Sequence, residues 1–160
     1  MNKAAMLDDA VAALSGAGTL AQIQHIVRTA SRQLVDAHGG TLVLLDGDRC
    51  YYADEDAISP LWKGQRFPVD QCISGWCMVH RQPAIVPDIS VDPRIPQEAY
   101  RPTFVRSLAM MPIRIDAPVG AIGAYWANRH SASGEEMSRL ATLADSTGAA
   151  LGRLSGAGQV

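Results

Sequence analysis

Apolar residues at Leu7, Val11 and Leu14 recur at steps of three and four before Gly16 to Gly18 interrupts them. That spacing predicts a short first helix, because such residues share one helical face and glycine weakens a helix. A second stripe, Leu20, Ile23, Val27, Ala30 and Leu34, follows Thr19 and Gln22, which have the spacing of a capping box. It predicts a longer helix, ended by Gly39-Gly40. From there the period shortens to two. Thr41 to Leu45 and Cys50 to Ala53 are rich in strand formers and are joined through Asp46-Gly47, a pair suited to a tight hairpin. Ser107 to Ile115 and Val119 to Trp126 predict a second hairpin around Asp116-Ala117-Pro118. Both of its strands are apolar on both faces, Leu108 and Met110 against Ala109 and Met111, so the sheet needs cover on two sides.

Eight of the nine prolines fall between Pro60 and Pro112 and exclude long regular elements there. Short strands at Arg66 to Val69 and Ala84 to Val86 fit, with a helix from about Ser74 to His80 between them. Asp88 to Thr103 reads as a long loop with one helical turn, the kind of segment that forms lids or binding walls. The last segment opens with Ser133 and Glu136, another capping box, and then sets Met137, Leu140, Ala144, Thr147, Leu151 and Leu154 along a heptad seam. A seam of this kind predicts a homodimer paired through helices, ahead of a small polar tail, Ser155 to Val160.

Composition narrows the classes. A chain of 160 residues buries one substantial core, so a single domain over 1–160 is expected. With 48% apolar and 19% charged residues it belongs among folded globular chains. A net charge of −2 without a basic run gives no footprint for a nucleic acid partner. No apolar run approaches the length of a bilayer span and the start lacks a signal-peptide pattern, so the expected location is cytoplasmic, with no membrane partner. Cys50, Cys72 and Cys77 are odd in number and lack zinc spacing, so reduced thiols and no metal are expected.

The order helix, hairpin, proline-rich middle, hairpin, long helix resembles a GAF domain, with its core at about 19–154. The stretches that carry the resemblance include Cys50 to Ala57, Arg66-Phe-Pro-Val69, Cys72-Ile-Ser-Gly-Trp76, Val86-Pro-Asp-Ile89, Ala99 to Phe104, Ser107 to Ile113 and Pro118 to Trp126. They are similar to the GAF modules that precede histidine kinase or diguanylate cyclase domains in bacterial sensors. The resemblance implies an α+β, GAF/PAS-like fold: an antiparallel sheet of about five or six strands, terminal helices on one face and a loop-covered ligand pocket on the other. It implies a small-molecule-binding sensory module in bacterial signal transduction, not an enzyme, acting as a homodimer on a histidine kinase or diguanylate cyclase output carried elsewhere. The ligand and any cofactor stay unnamed.

Candidate ligand contacts follow from residue type. Tyr52, Trp62, Trp76 and Tyr100 bring flat apolar surface beside polar segments, although most aromatic side chains are ordinary core. Ser74 sits near the start of the short helix, where free amides favour an anion or a carbonyl oxygen, and serves equally well as a cap. Of Arg66, Arg94, Arg101 and Arg106, the first and last are kept as possible orienters of a carboxylate or phosphate, with Asp88 at the head of the loop. Surface pairing with Asp54, Glu55, Asp56, Asp88 or Asp92 is the commoner fate of such arginines. Cys72 and Cys77 would point about 140° apart on a helix and share nothing. Cys77 and His80, three apart, have the spacing of a nucleophile and base but lack a third orienting group, and packing is the better reading.

Two other functions fit the family. Stand-alone GAF proteins that reduce free methionine sulfoxide place their thiol in the loop before the second hairpin, where Tyr100 to Ser107 holds no cysteine. Bilin-binding relatives carry a Cys-His pair that is missing at Cys72 and Cys77, and a lone His80 is thin support for haem.

Overall fold

The computed structural model describes residues 2–156. In chain order it runs α1 (Lys3–Ser15), α2 (Leu20–Gln33), β1 (Gly39–Asp46), β2 (Arg49–Ala57), β3 (Arg66–Pro68), α3 (Ile73–His80), β4 (Ala84–Val86), α4 (Gln97–Tyr100), β5 (Ser107–Ile113), β6 (Gly120–Trp126) and α5 (Gly134–Gly156). Single 3-10 turns, Val69–Gln71 and Ile89–Val91, precede α3 and follow β4.

Both capping boxes form. Thr19 accepts from the Gln22 amide while the Gln22 side chain accepts from the Thr19 amide, and Ser133 and Glu136 do the same at α5. At the other end α2 stops before the predicted Gly39-Gly40. Asp36 turns the chain with a φ of 49°, and the two glycines open β1 instead. Gly40 lies against α2, where a Cβ would meet the Arg28 carbonyl at 2.8 Å, so the glycine serves close packing of strand on helix.

β2 also outruns its apolar pattern, continuing through Asp54-Glu55-Asp56. Each carboxylate has a partner: Asp54 pairs with Arg28 and Lys63, both at 3.2 Å, and Asp56 with Arg32 at 3.0 Å. Arg28 and Arg32 project from α2, so the acidic end of the strand is tied to the helix layer.

The sheet has the order β3-β2-β1-β6-β5-β4 with every neighbouring pair antiparallel. All residues of β5 and β6 are buried, as two-sided apolar strands require. One face, with Leu42, Ala109, Met111 and Ile122, packs under α1, α2 and α5; the other, with Val43, Tyr52, Leu108, Met110 and Tyr125, packs under α3 and the loops.

The heptad seam of α5 faces this core. Leu140, Ala144, Thr147, Leu151 and Leu154 are buried against α1, α2 and β5, and Arg153 donates to the Leu14 carbonyl at 2.8 Å. Apolar spacing does not say whether the covering surface belongs to the same chain, and here it does. Any pairing of two copies therefore needs an outward surface, not this seam.

Gly75 marks the tightest approach in the sheet's other layer, since a Cβ there would lie 1.9 Å from the Val69 carbonyl oxygen. Gly75→Ala is expected to lower stability by about 1–3 kcal/mol, read as a lower urea midpoint. Gly152, with nothing within 4 Å of its would-be Cβ, is the control: Gly152→Ala is expected to raise stability by about 0.5–1 kcal/mol.

Candidate functional site

The Glu55 carboxylate, near the end of β2, accepts from the backbone amides of Leu61, Trp62 and Lys63 at 2.8, 2.9 and 2.9 Å. This clamp sets the loop after β2 and turns Trp62 inward. The Trp62 indole donates to the Ala99 carbonyl at 2.9 Å and packs against Tyr52, Tyr100 and Tyr125 with centroids 5.5, 4.6 and 5.4 Å away. The loops do cover this face, and the space they enclose is filled by these four rings.

What stays open is a groove of about 980 Å³ at the margin of the aromatic cluster. Its walls include Trp62, Phe67, Val69, Cys72, Trp76, Val79, Ile95 and Pro96, with Asp70, His80, Arg94 and Glu98 as its charged or titratable groups. Arg94 is held by Asp92 through contacts of 3.0 and 2.6 Å, and its guanidinium lies over the Trp76 ring at 4.4 Å. The His80 ring stacks on the same indole at 4.6 Å.

The sequence candidates separate into four groups. Trp62 and Trp76 line the groove. Tyr52 and Ser74 lie buried behind it, joined hydroxyl to hydroxyl at 3.1 Å. Tyr100 belongs to the same interior cluster and borders a separate hollow of about 220 Å³ that Arg106 also lines. Arg66 and Asp88 are elsewhere. Arg66 donates to Asp46 at 3.0 Å and covers Tyr51 on the sheet's outer edge, while Asp88 caps the turn at Ser90 and pairs with Arg129 at 3.0 Å.

Cys77 and His80 do not meet. The Cys77 thiol donates to the Met110 carbonyl at 3.9 Å and burial pushes its pKa up to about 12, whereas His80 Nδ1 contacts the Trp76 carbonyl at 2.9 Å. The thiol that does reach the groove is Cys72, at the N-cap of α3. Ser74 Oγ donates to its sulfur at 3.4 Å. Its pKa is lowered, first by hydrogen bonding from Cys50 and then, against the cost of burial, by Ser74 and the Gly75 amide. Cys50 moves the opposite way, raised by that same interaction and by burial. Spacing along the chain offered no hint of this pair, because β2 and the start of α3 meet only when β3 folds back on β2. No local pattern in the sequence ties Arg94 to Trp76 either.

Among the described residues no group of three or more His, Cys, Asp or Glu is placed to hold a metal ion, and no helix is long and apolar enough to cross a membrane.

An antiparallel six-stranded sheet with terminal helices on one face and a loop-walled groove on the other defines a small α+β module. The chain belongs to the GAF domain family, whose profile matches residues 19–152. No curated protein matches it in sequence. Among solved structures, the GAF domain of an Acinetobacter phosphoenolpyruvate-protein phosphotransferase is 14% identical with a TM-score of 0.84, covering 100% of this chain and 99% of that one. The corresponding domain from Coxiella burnetii is 16% identical with a TM-score of 0.85, over 100% of this chain and 98% of the other. The free methionine-R-sulfoxide reductase of Neisseria meningitidis, solved with its substrate, is 16% identical with a TM-score of 0.81, over 98% and 95%. That last similarity corrects the expectation of a module without chemistry. The same fold serves an enzyme, so the architecture gives no ground for excluding catalysis.

The buried phenols make a test of the packed interior. Burial, and then the neighbouring phenols, raise the pKa values of Tyr52 and Tyr100, and burial raises that of Tyr125. Up to about pH 10 folded and unfolded chains are both protonated and this contribution is intact; above it the unfolded chain loses protons that the folded chain keeps. Stability should therefore fall as pH rises past that point, by up to about 4 kcal/mol per unit for three phenols. Ultraviolet titration should show these three ionising together with unfolding, and gradual ionisation in a folded protein would mean that the rings are not sealed.

Proposed function

We propose that this chain is a sensory module of bacterial signal transduction that binds a small molecule in the groove beside Trp62 and Trp76. The observation that carries the reading is the groove itself: apolar and aromatic walls with a few charged groups among them, on the sheet face opposite the terminal helices. A guest there touches α3, which packs on β5 and β6, and the loop from Asp88 to Thr103, whose Ile89, Ile95 and Tyr100 share a buried cluster with Leu108 and Tyr125; the opposite side chains of the two strands support α5. Occupancy thus biases the helices through the sheet, a coupling typically of about 1–3 kcal/mol. In this proposal the module works in the cytoplasm with reduced thiols and acts on an output domain of histidine kinase or diguanylate cyclase type. Two copies would pair through the outer surfaces of α1 and α2, where Met6, Ala10, Ile26 and Ala30 border a shallow trough.

Native mass spectrometry of protein purified from its own host tests the binding. The wild type is expected to carry a non-covalent small molecule that Trp76→Ala loses, since Trp76 is only partly buried and its truncation opens the wall without emptying the core. Bare wild-type protein, together with no thermal shift from any member of a metabolite panel, goes against the reading.

One observation favours a second reading, reduction of free methionine sulfoxide: a thiol in the groove of a fold that an enzyme of that activity shares. Turnover of the free sulfoxide with a thiol reductant, abolished by Cys72→Ser but not by Cys77→Ser, is the expected result; equal background rates in all three proteins would dismiss it.

A further inference from the structure

The three cysteines are all free and buried, yet their surroundings differ in kind. Cys77 is enclosed by the core and occupied with a backbone carbonyl. Cys72 is 6% exposed, on the groove wall, with the hydroxyl of Ser74 on its sulfur and the first amides of α3 beside it. Cys50 is wholly buried in β2, opposite Phe67 in β3, and the Cys72 sulfur touches the carbonyl of Pro68, the next residue. Both thiols belong to the buried cluster that forms where β3 folds against β2. A helix start, a hydroxyl donor and a second thiol are the neighbours that favour a thiolate, and only one of the pair has a route to solvent.

We propose that Cys72 and Cys50 are a peroxide-reactive dithiol, with Cys72 as the attacking thiol and Cys50 as the resolving one. The groove admits a small hydroperoxide to Cys72. Its thiolate attacks one peroxide oxygen, the O–O bond breaks, and the departing hydroxide takes a proton to leave as water, giving a sulfenic acid at Cys72. Cys50 then loses its proton and attacks the Cys72 sulfur; the S–S bond forms and the sulfenic oxygen leaves as a second water. Two thiols give up two electrons and two protons, and one peroxide becomes two waters. Cys77 takes no part, because no path leads from it to the groove and no thiol donor supports its ionisation.

This goes beyond ligand binding and needs no ligand for its test. The purified wild type, treated with hydrogen peroxide at low excess, is expected to lose about 2 Da, with peptide mapping placing the bridge between Cys50 and Cys72 and leaving Cys77 free. Cys50→Ser should accumulate a Cys72 sulfenic acid that dimedone traps, and Cys72→Ser should react no faster than free cysteine. Should either variant fail to fold, site-resolved alkylation of the wild type decides alone. Cys72 is then expected to react at least about tenfold faster than Cys77 at neutral pH, with a midpoint below the value of about 8.5 of an ordinary thiol. A bridge involving Cys77, a Cys72→Ser protein that oxidises as fast as the wild type, or equal alkylation of the three thiols would overturn the proposal.

Discussion

Every side chain of β5 and of β6 is buried, so the middle of the sheet presents apolar surface in two directions at once and water has to be kept from both. The hydrophobic effect sets no preference for what does the covering, only that it be continuous and close-packed. On one side the cover is three helices, whose backbones are satisfied internally and whose apolar stripes alone face the sheet. On the other it is a segment rich in proline, which forms only short helices and the three-residue edge strands β3 and β4.

That second cover is held by individual side chains acting on backbone groups. Glu55 grips three successive amides, Trp62 reaches the Ala99 carbonyl, and the Gln97 amide donates to the Ile89 carbonyl at 2.7 Å. A layer fastened at points leaves gaps between the fastenings, and the groove is one of them. The aromatic rings complete the seal where the loops alone do not. The interior is filled by packed side chains, and the open space is displaced to its edge, beside α3.

The start of α3 consequently serves several purposes. It carries Cys72 into the groove wall, Ser74 into contact with Tyr52, and Gly75 onto the Val69 carbonyl, all within four residues. Groove wall, core and candidate nucleophile share one short backbone segment. The GAF domain of a phosphotransferase and a free methionine-R-sulfoxide reductase share this architecture, so the sheet and helices do not by themselves specify a function.

Local patterns were enough for most elements. Helix stripes, both capping boxes, both hairpins and the short pieces around α3 depend on residues within a turn or a tight reversal of each other, so neighbours in sequence carry the information. The two-sided burial of β5 and β6 was likewise written in their unbroken apolar runs. Trp62 and Trp76 were legible as candidates by residue type, and they do line the groove. The orientation of everything brought together over distance was not legible. The α5 stripe meets its own chain, Arg66 faces outward to Asp46, Arg94 lies over Trp76, and Cys50 and Cys72 enter one buried cluster because β3 reverses onto β2. A residue's own sequence states how polar or apolar its surroundings must be; which neighbour supplies them is decided only when strands pair and layers close.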